Sequence, residues 1–537
     1  MNMEPAISLS TLVIDVSNGS NGSNGSNVLL SPQAPLSPQS PPTVVPTTTA
    51  TAVFLTINDV YELFPNASGQ GGLAEFVTLL QKAKAAIPRD VPVFVTLNGD
   101  FLWRSELDRQ DKGAHMIEVL NALGIEFVVL GNHEFDFGAP LLKNLLTDAQ
   151  FTTFGSNVRD TVTRDLFPGL VDYQVLPLPN GLRLGIFGVC TTVTGKDPFA
   201  GTEVVFENEV MHARRCVEVL KDLGVDVIVA LTHLKVAEDQ ALVAHVAGID
   251  LVLGGHDHEP MSLFVNNTMI HKSGQDALWM GHVELTITKT EETYDRSSSV
   301  DVGFQWQMLC NRGHEPEPAC QEILLKYAAH LEQELRSQGK LEPLATSRTL
   351  LDGSRLTCRT RESNFGNLIT DALREELQVD IAILNAGFIK GDDMLDADSA
   401  ITMHWLEKVL PLRKPSVVIE MSEENVRSAL TQMLRKYPNL SSSFPQISGF
   451  HAVFDFTERK LVSFSLDGEP REKEKTTPQR MLRVATAMVP SMDGWEVFAA
   501  GAFSPTGPLV RDLVASFVTK KKEIMYPSCE NRLSILE

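Results

Sequence analysis

Five times along the chain a short apolar, largely β-branched run ends in Asp, Asn or His. Phe54 to Ile57 leads into Asn58 and Asp59; Val93 to Leu97 leads into Asn98, Gly99 and Asp100; Phe127 to Leu130 leads into Gly131, Asn132 and His133. Val225 to Leu231 leads into Thr232 and His233, and Ile249 to Leu253 into Gly254, Gly255, His256, Asp257 and His258. Stretches of helical character, such as Gly72 to Ala86 and Met211 to Leu223, separate these runs. Near-continuous apolar strands alternating with helices predict an α/β fold whose strands are covered on both faces. Ligands of such sheets gather beyond the carboxyl ends of the strands. Asp59, Asp100, Asn132, His233, His256 and His258 are therefore expected along one edge.

Taken singly, none of these residues carries chemistry. Asp59, Asp100 and Asp136 suit helix N-caps and Asx turns, and Gly-Asn pairs are common in loops for conformational reasons alone. Their recurrence at five strand ends is what points to a metal. Carboxylate, amide and imidazole donors without thiolates suit a divalent Mn, Zn, Co or Fe ion and not a closed structural zinc site. A carboxylate can bridge two such ions about 3.5–4 Å apart, which activate a water and clamp a phosphoryl group. Asp100 is the candidate bridge. In the octet Gly131-Asn-His-Glu-Phe-Asp-Phe-Gly138, His133 can act as an acid or a positive partner, with Asp136 close enough to orient its ring.

These five motifs together resemble the metallophosphoesterase superfamily, and their order resembles the 5′-nucleotidase and UDP-sugar hydrolase family within it, over roughly residues 51 to 535. The resemblance implies a calcineurin-like β-sandwich flanked by helices and a C-terminal α/β substrate domain. It also implies one ion on Asp59, Asp100 and His258, another on Asp100, Asn132, His233 and His256, and a catalytic dyad of His133 with Asp136. In the C-terminal domain it implies that Arg355, Arg359, Asn385, Gly387 and Lys390, with Asp493 and Trp495, bind substrate. The expected activity is hydrolysis of a phosphate monoester, nucleotide or phosphorylated sugar, by two-metal activation of water. Phosphodiesterase or nucleotide-sugar pyrophosphatase activity, or a catalytically impaired scaffold on the same fold, are the alternatives.

The chain departs from that family at several positions. Tyr61 stands where the family has a histidine ligand, two residues after the first Asp. A neutral phenol, with a reference pKa of about 10, is a poor ligand for a divalent ion, so Tyr61 is expected to line the pocket rather than bind metal. As a phenolate it would suit ferric iron. Lys390 replaces an arginine, keeping the charge without the bidentate fork. Pro411-Leu-Arg-Lys414 lacks the ring that the family places there, whereas Trp495 supplies the other. A one-sided stack leaves sugar phosphates open beside nucleotides.

Composition sets the remaining bounds. Repeated Asn-Gly-Ser from Asn18 and a Pro, Ser and Thr tract to Thr49 predict a disordered arm over residues 1–50. The phosphoesterase domain is expected over 51–318, an amphipathic linker helix over 319–345, with Ile323, Leu324, Tyr327, Leu331 and Leu335 on one face, and the second domain over 346–537. A net charge of −22 disfavours nucleic-acid backbones and anionic membranes as partners, but not a small phosphorylated substrate beside bound metal. Six scattered cysteines give no disulfide framework. No segment reads as a signal peptide, lipid-anchor signal or membrane span, so the cytoplasm is the expected location.

Overall fold

The computed structural model describes residues 47–537 apart from 67, 103–106, 108–110, 197–199, 292–297, 392, 470–479, 488–494, 500, 505 and 537. The first strand, Thr47–Ile57, begins inside the segment expected to be a disordered arm. Its threonine-rich start is held by antiparallel pairing with Trp279–Thr290, from Thr47 opposite Thr290 to Thr56 opposite Gly281. Tertiary pairing thus overrides a composition that reads as low complexity.

Two six-stranded sheets form the first half of the chain. In one, Thr47–Ile57, Val93–Asn98, Phe127–Val129 and Thr152–Phe154 run parallel, Trp279–Thr290 pairs antiparallel with the first of them, and Ser299–Cys310 pairs antiparallel with Trp279–Thr290 at the edge. In the other, Arg183–Cys190, Val227–His233, Leu251–Gly254 and Thr268–Ser273 run parallel, flanked by antiparallel Tyr173–Pro177 and Pro260–Val265. Side chains from both sheets, including Phe54, Phe94, Phe127, Leu184, Val229 and Leu253, share one buried core. Helices Leu73–Ala86 and Ala114–Leu123 cover the outer face of the first sheet, and Glu209–Asp222 and Val236–His245 that of the second. The result is the four-layer sandwich that strands apolar on both faces require.

Register aligns the ends of these strands. Ile57 pairs with Leu97, Asn98 with Val129, and Gly254 with Thr232, so the segments that follow leave from one edge. The helix Pro318–Ser337, expected as a linker, packs against helices Leu73–Ala86 and Ala114–Leu123, with Cys320 and Leu324 joining their core. A five-stranded sheet then carries Ile381–Asn385 at its interior, covered by helices Asn364–Leu377 and Glu423–Leu434, with Val510–Lys521 packed on the first of these, around a separate core. Among the described residues no helix is long and apolar enough to cross a membrane, and the six cysteines are free thiols.

Candidate metal centre

Three of the expected ligands sit in backbone conformations that side chains seldom adopt. Asp59, Asp100 and His256 have φ of 53°, 57° and 74°. Such left-handed residues cost roughly 1–3 kcal/mol each and persist only where surrounding contacts fix them. Those contacts join separate strand ends. Asp59 Oδ2 accepts from Asn58 Nδ2 at 2.7 Å and from the His256 amide at 2.8 Å, tying the first strand end to the last. Glu134, fully buried, accepts from the amides of Asp100, Phe101, Leu102 and Gly131 at 3.0, 2.7, 3.0 and 2.5 Å. One carboxylate thereby clamps the Asp100 turn to the Asn132 turn. Gly99 is required beside it, because a Cβ there would lie 2.3 Å from His233 Nδ1.

On this frame His233 Nδ1 meets the Asn98 carbonyl at 2.9 Å, which turns Nε2 toward Asp100 Oδ2, 3.2 Å away. His256 Nδ1 lies 3.2 Å from the same His233 nitrogen. Among the described residues, Asp100, His233 and His256 form the one set of three or more His, Cys, Asp or Glu residues whose donor atoms all lie within 4.8 Å of one another. Asn132 Oδ1 is buried with no hydrogen-bond partner. A divalent ion with bonds of about 2.1 Å sets its ligand atoms roughly 3.0–3.4 Å apart, so the spacing of this set fits one. An unpartnered buried amide oxygen and two imidazole nitrogens turned on each other are what such an ion satisfies.

The other expected ligands are arranged around a phenol. Tyr61 Oη lies 3.1 Å from Asp59 Oδ1, 3.1 Å from Asp100 Oδ2 and 3.4 Å from His258 Nε2. Burial, and then the charges of Asp100 and Asp59, push the Tyr61 pKa far above its ordinary value, so the hydroxyl keeps its proton and donates to the carboxylates. His258 Nε2 is 3.3 Å from Asp59 Oδ1, and its side chain is 49% exposed, against 0% for His233. The Tyr61 hydroxyl therefore touches three of the expected ligands, Asp59, Asp100 and His258. Asp276, which sequence reasoning missed, accepts from the Tyr61 and Glu62 amides at 3.0 and 3.1 Å and holds this turn in place.

His133 and Asp136 are brought together by the short 3₁₀ turn His133–Phe135. His133 Nδ1 is 3.0 Å from Asp136 Oδ2, its amide donates to Asp100 Oδ1 at 2.9 Å, and Nε2 stands 3.9 Å from Asp100 Oδ2. The ring is thus oriented by Asp136 and set beside the ligands.

In the second half of the chain, Arg355 and Arg359 lie on the helix Arg355–Thr360, opened by Ser354 capping the Thr357 amide. Lys390 follows the turn Ala386–Phe388, and its pKa is lowered by burial, then by the charges of Arg359 and Arg355. The three cations are thus within electrostatic reach of one another. Asn385 donates to the Ser442 carbonyl while its buried Oδ1 has no partner, and the Gly387 amide donates to the same carbonyl at 2.7 Å. Leu412 packs against the domain core. Asp493 and the side chain of Trp495 lie outside the described residues.

Comparison with known proteins agrees with this architecture. Residues 52–260 match the calcineurin-like phosphoesterase family, and residues 340–499 the 5′-nucleotidase C-terminal domain. Human 5′-nucleotidase is 25% identical over 505 residues, covering 86% of this chain and 85% of its own. A 5′-nucleotidase precursor from Thermus thermophilus superposes with a TM-score of 0.65 at 23% identity, over 91% of this chain and 100% of that one. A sulfate thiohydrolase from the same organism superposes with a TM-score of 0.60 at 16% identity, over 90% and 96% of the two chains, so the fold by itself does not name a reaction. With both domains matched in order along one chain, the protein belongs to the calcineurin-like phosphoesterases that carry a 5′-nucleotidase C-terminal domain.

Proposed function

We propose that the chain is a metal-dependent phosphomonoesterase whose substrate class is the nucleoside 5′-monophosphates. One observation carries the reading: the buried, unpartnered Asn132 Oδ1 immediately precedes His133, in a centre where the donor atoms of Asp100, His233 and His256 lie within 4.8 Å. Asp100, Asn132, His233 and His256 would hold one divalent ion, and Asp59, Asp100 and His258 a second, with Asp100 common to both. Bound there, the ions supply Lewis acidity toward a phosphoryl oxygen and the attacking water. His133, held at Nδ1 by Asp136, presents Nε2 on the Asp100 side, where it can deliver a proton to the departing ester oxygen or offset charge on the phosphoryl group. Arg355, Arg359 and Lys390 concentrate positive charge in a chain of net charge −22 and suit an anionic substrate there. The relatives named 5′-nucleotidase favour nucleotides over sugar phosphates as that substrate.

The test is hydrolysis by metal-free protein and by protein reconstituted with Mn²⁺, Zn²⁺ or Co²⁺, read as inorganic phosphate from the monoesters, p-nitrophenol from the diester and UMP from UDP-glucose. The panel contains AMP, UMP, glucose 6-phosphate, UDP-glucose and bis(p-nitrophenyl) phosphate. The reading expects metal-dependent release, fastest from the nucleoside monophosphates. Preference for the diester or for UDP-glucose would overturn it, and absence of turnover with every metal would favour the scaffold alternative.

A further inference from the structure

Lys272 belongs to the strand Thr268–Ser273 and its side chain is fully buried. An ammonium is seldom placed where water cannot reach it unless several acceptors surround it. Here there are four. Nζ donates to the Leu234 carbonyl at 2.6 Å, the Gly255 carbonyl at 2.8 Å and Asp257 Oδ2 at 2.8 Å, and Asp239 Oδ2 lies 2.7 Å away as an ion-pair partner.

The identity of these acceptors is informative. Leu234 directly follows His233, Gly255 directly precedes His256, and Asp257 stands between His256 and His258. A single cation therefore holds the peptides beside three candidate ligands. Its carboxylate partners extend the hold. Asp239 Oδ1 accepts from Thr232 Oγ1 at 2.7 Å, on the residue before His233, and Asp257 Oδ2 accepts from the Val236 amide at 2.7 Å. Packing is tight enough that a Cβ at Gly254 would lie 2.9 Å from Lys272 Cε. His256, with φ of 74°, needs such external restraint to keep its conformation.

We infer that Lys272 is a positioning residue of the metal centre, fixing the spacing between His233 and His256 by tying together the two strand ends that carry them. The inference rests on the metal-centre reading above, and its readout is metal binding rather than turnover. Removing the ammonium leaves two carbonyls and two carboxylates without their cation and frees the two loops to move independently. Loss of contacts that orient ligands characteristically weakens metal affinity by roughly 10–100-fold.

The experiment is titration of the full chain with Co²⁺, followed by the visible absorption bands of the bound ion. Lys272→Met is expected to raise the Kd for Co²⁺ by at least about 10-fold and to shift those bands. Val229→Ala, in the core between the sheets, is the control: it loses thermal stability while keeping wild-type affinity and bands. Should Lys272→Met fail to fold, Asp257→Asn removes one anchor of the ammonium and is read the same way, with a several-fold weaker Kd expected. Wild-type affinity and unchanged bands in either folded variant would overturn the inference. Co²⁺ binding by the wild type without phosphate release would sink the proposed function alone, whereas no Co²⁺ binding would sink both.

Discussion

The two halves of the candidate metal centre are built to different standards. Around His233 the donors of Asp100 and His233 are buried and that of His256 half-buried, they are spaced for an ion, and beside them lies a buried amide oxygen with no other partner. Around Tyr61 the donors are turned toward a phenol hydroxyl, and His258 is half exposed. A site whose ligands are already arranged pays little ordering cost on binding, whereas one whose ligands must release a hydrogen bond binds more weakly. The comparison teaches that metal affinity should be unequal across the centre, with Asp100 linking the tight half to the weak one.

The largest effect expected from this difference follows removal of the shared charge. Asp100→Asn should release both ions in elemental analysis and lower turnover by more than the roughly 10⁴-fold that loss of one general acid can give. Loss of a single ion would show that the halves do not share Asp100. Next comes His133→Ala, which should lower kcat by roughly 10²–10⁴-fold while both ions stay bound, because His133 stands beside the expected ligand Asp100, its Nε2 3.9 Å away, and outside the proposed ligand set. Normal turnover in the fully metallated variant would remove His133 from the chemistry.

A smaller change is expected from Glu134→Gln. The carboxylate takes four backbone amides that join the Asp100 and Asn132 turns, and burial followed by the Asp100 charge pushes its pKa up to about 7. The amide retains a single acceptor oxygen, so roughly 1–3 kcal/mol of stability should be lost in urea unfolding, with about 10-fold weaker binding in the tight half. Unchanged stability and affinity would mean that the turns hold themselves. The smallest effect concerns Tyr61→His, which should tighten only the weak half, by about 10-fold in a metal titration, through a neutral imidazole donor. If affinity there falls instead, Tyr61 already serves as a ligand and the asymmetry has another cause.

Most of the frame was legible because the strands are apolar on both faces and stop at polar residues, a pattern that local composition carries by itself. Asp59, Asp100, Asn132, His233, His256 and His258 could be read as a group for that reason. What escaped depends on contacts between distant segments. The position of the Tyr61 hydroxyl is set by the left-handed turn at Asp59 and by Asp276, 215 residues away in sequence. Lys272 reads in sequence as a polar end to a short strand, and only the approach of residues 234, 239, 255 and 257 reveals its role. Thr47 to Thr49 read as part of a low-complexity arm until paired with Thr288 to Thr290. Glu134 sat in the most informative octet, yet its function as an amide clamp is visible only once the Asp100 turn is brought beside it.

Calorimetric titration of the metal-free chain with Mn²⁺ tests the unequal centre most directly. Two binding steps of different affinity are expected, the tighter one abolished by Asn132→Ala and the weaker one by His258→Ala. Two steps of equal affinity, or loss of the tighter step in His258→Ala, would contradict an unequal centre.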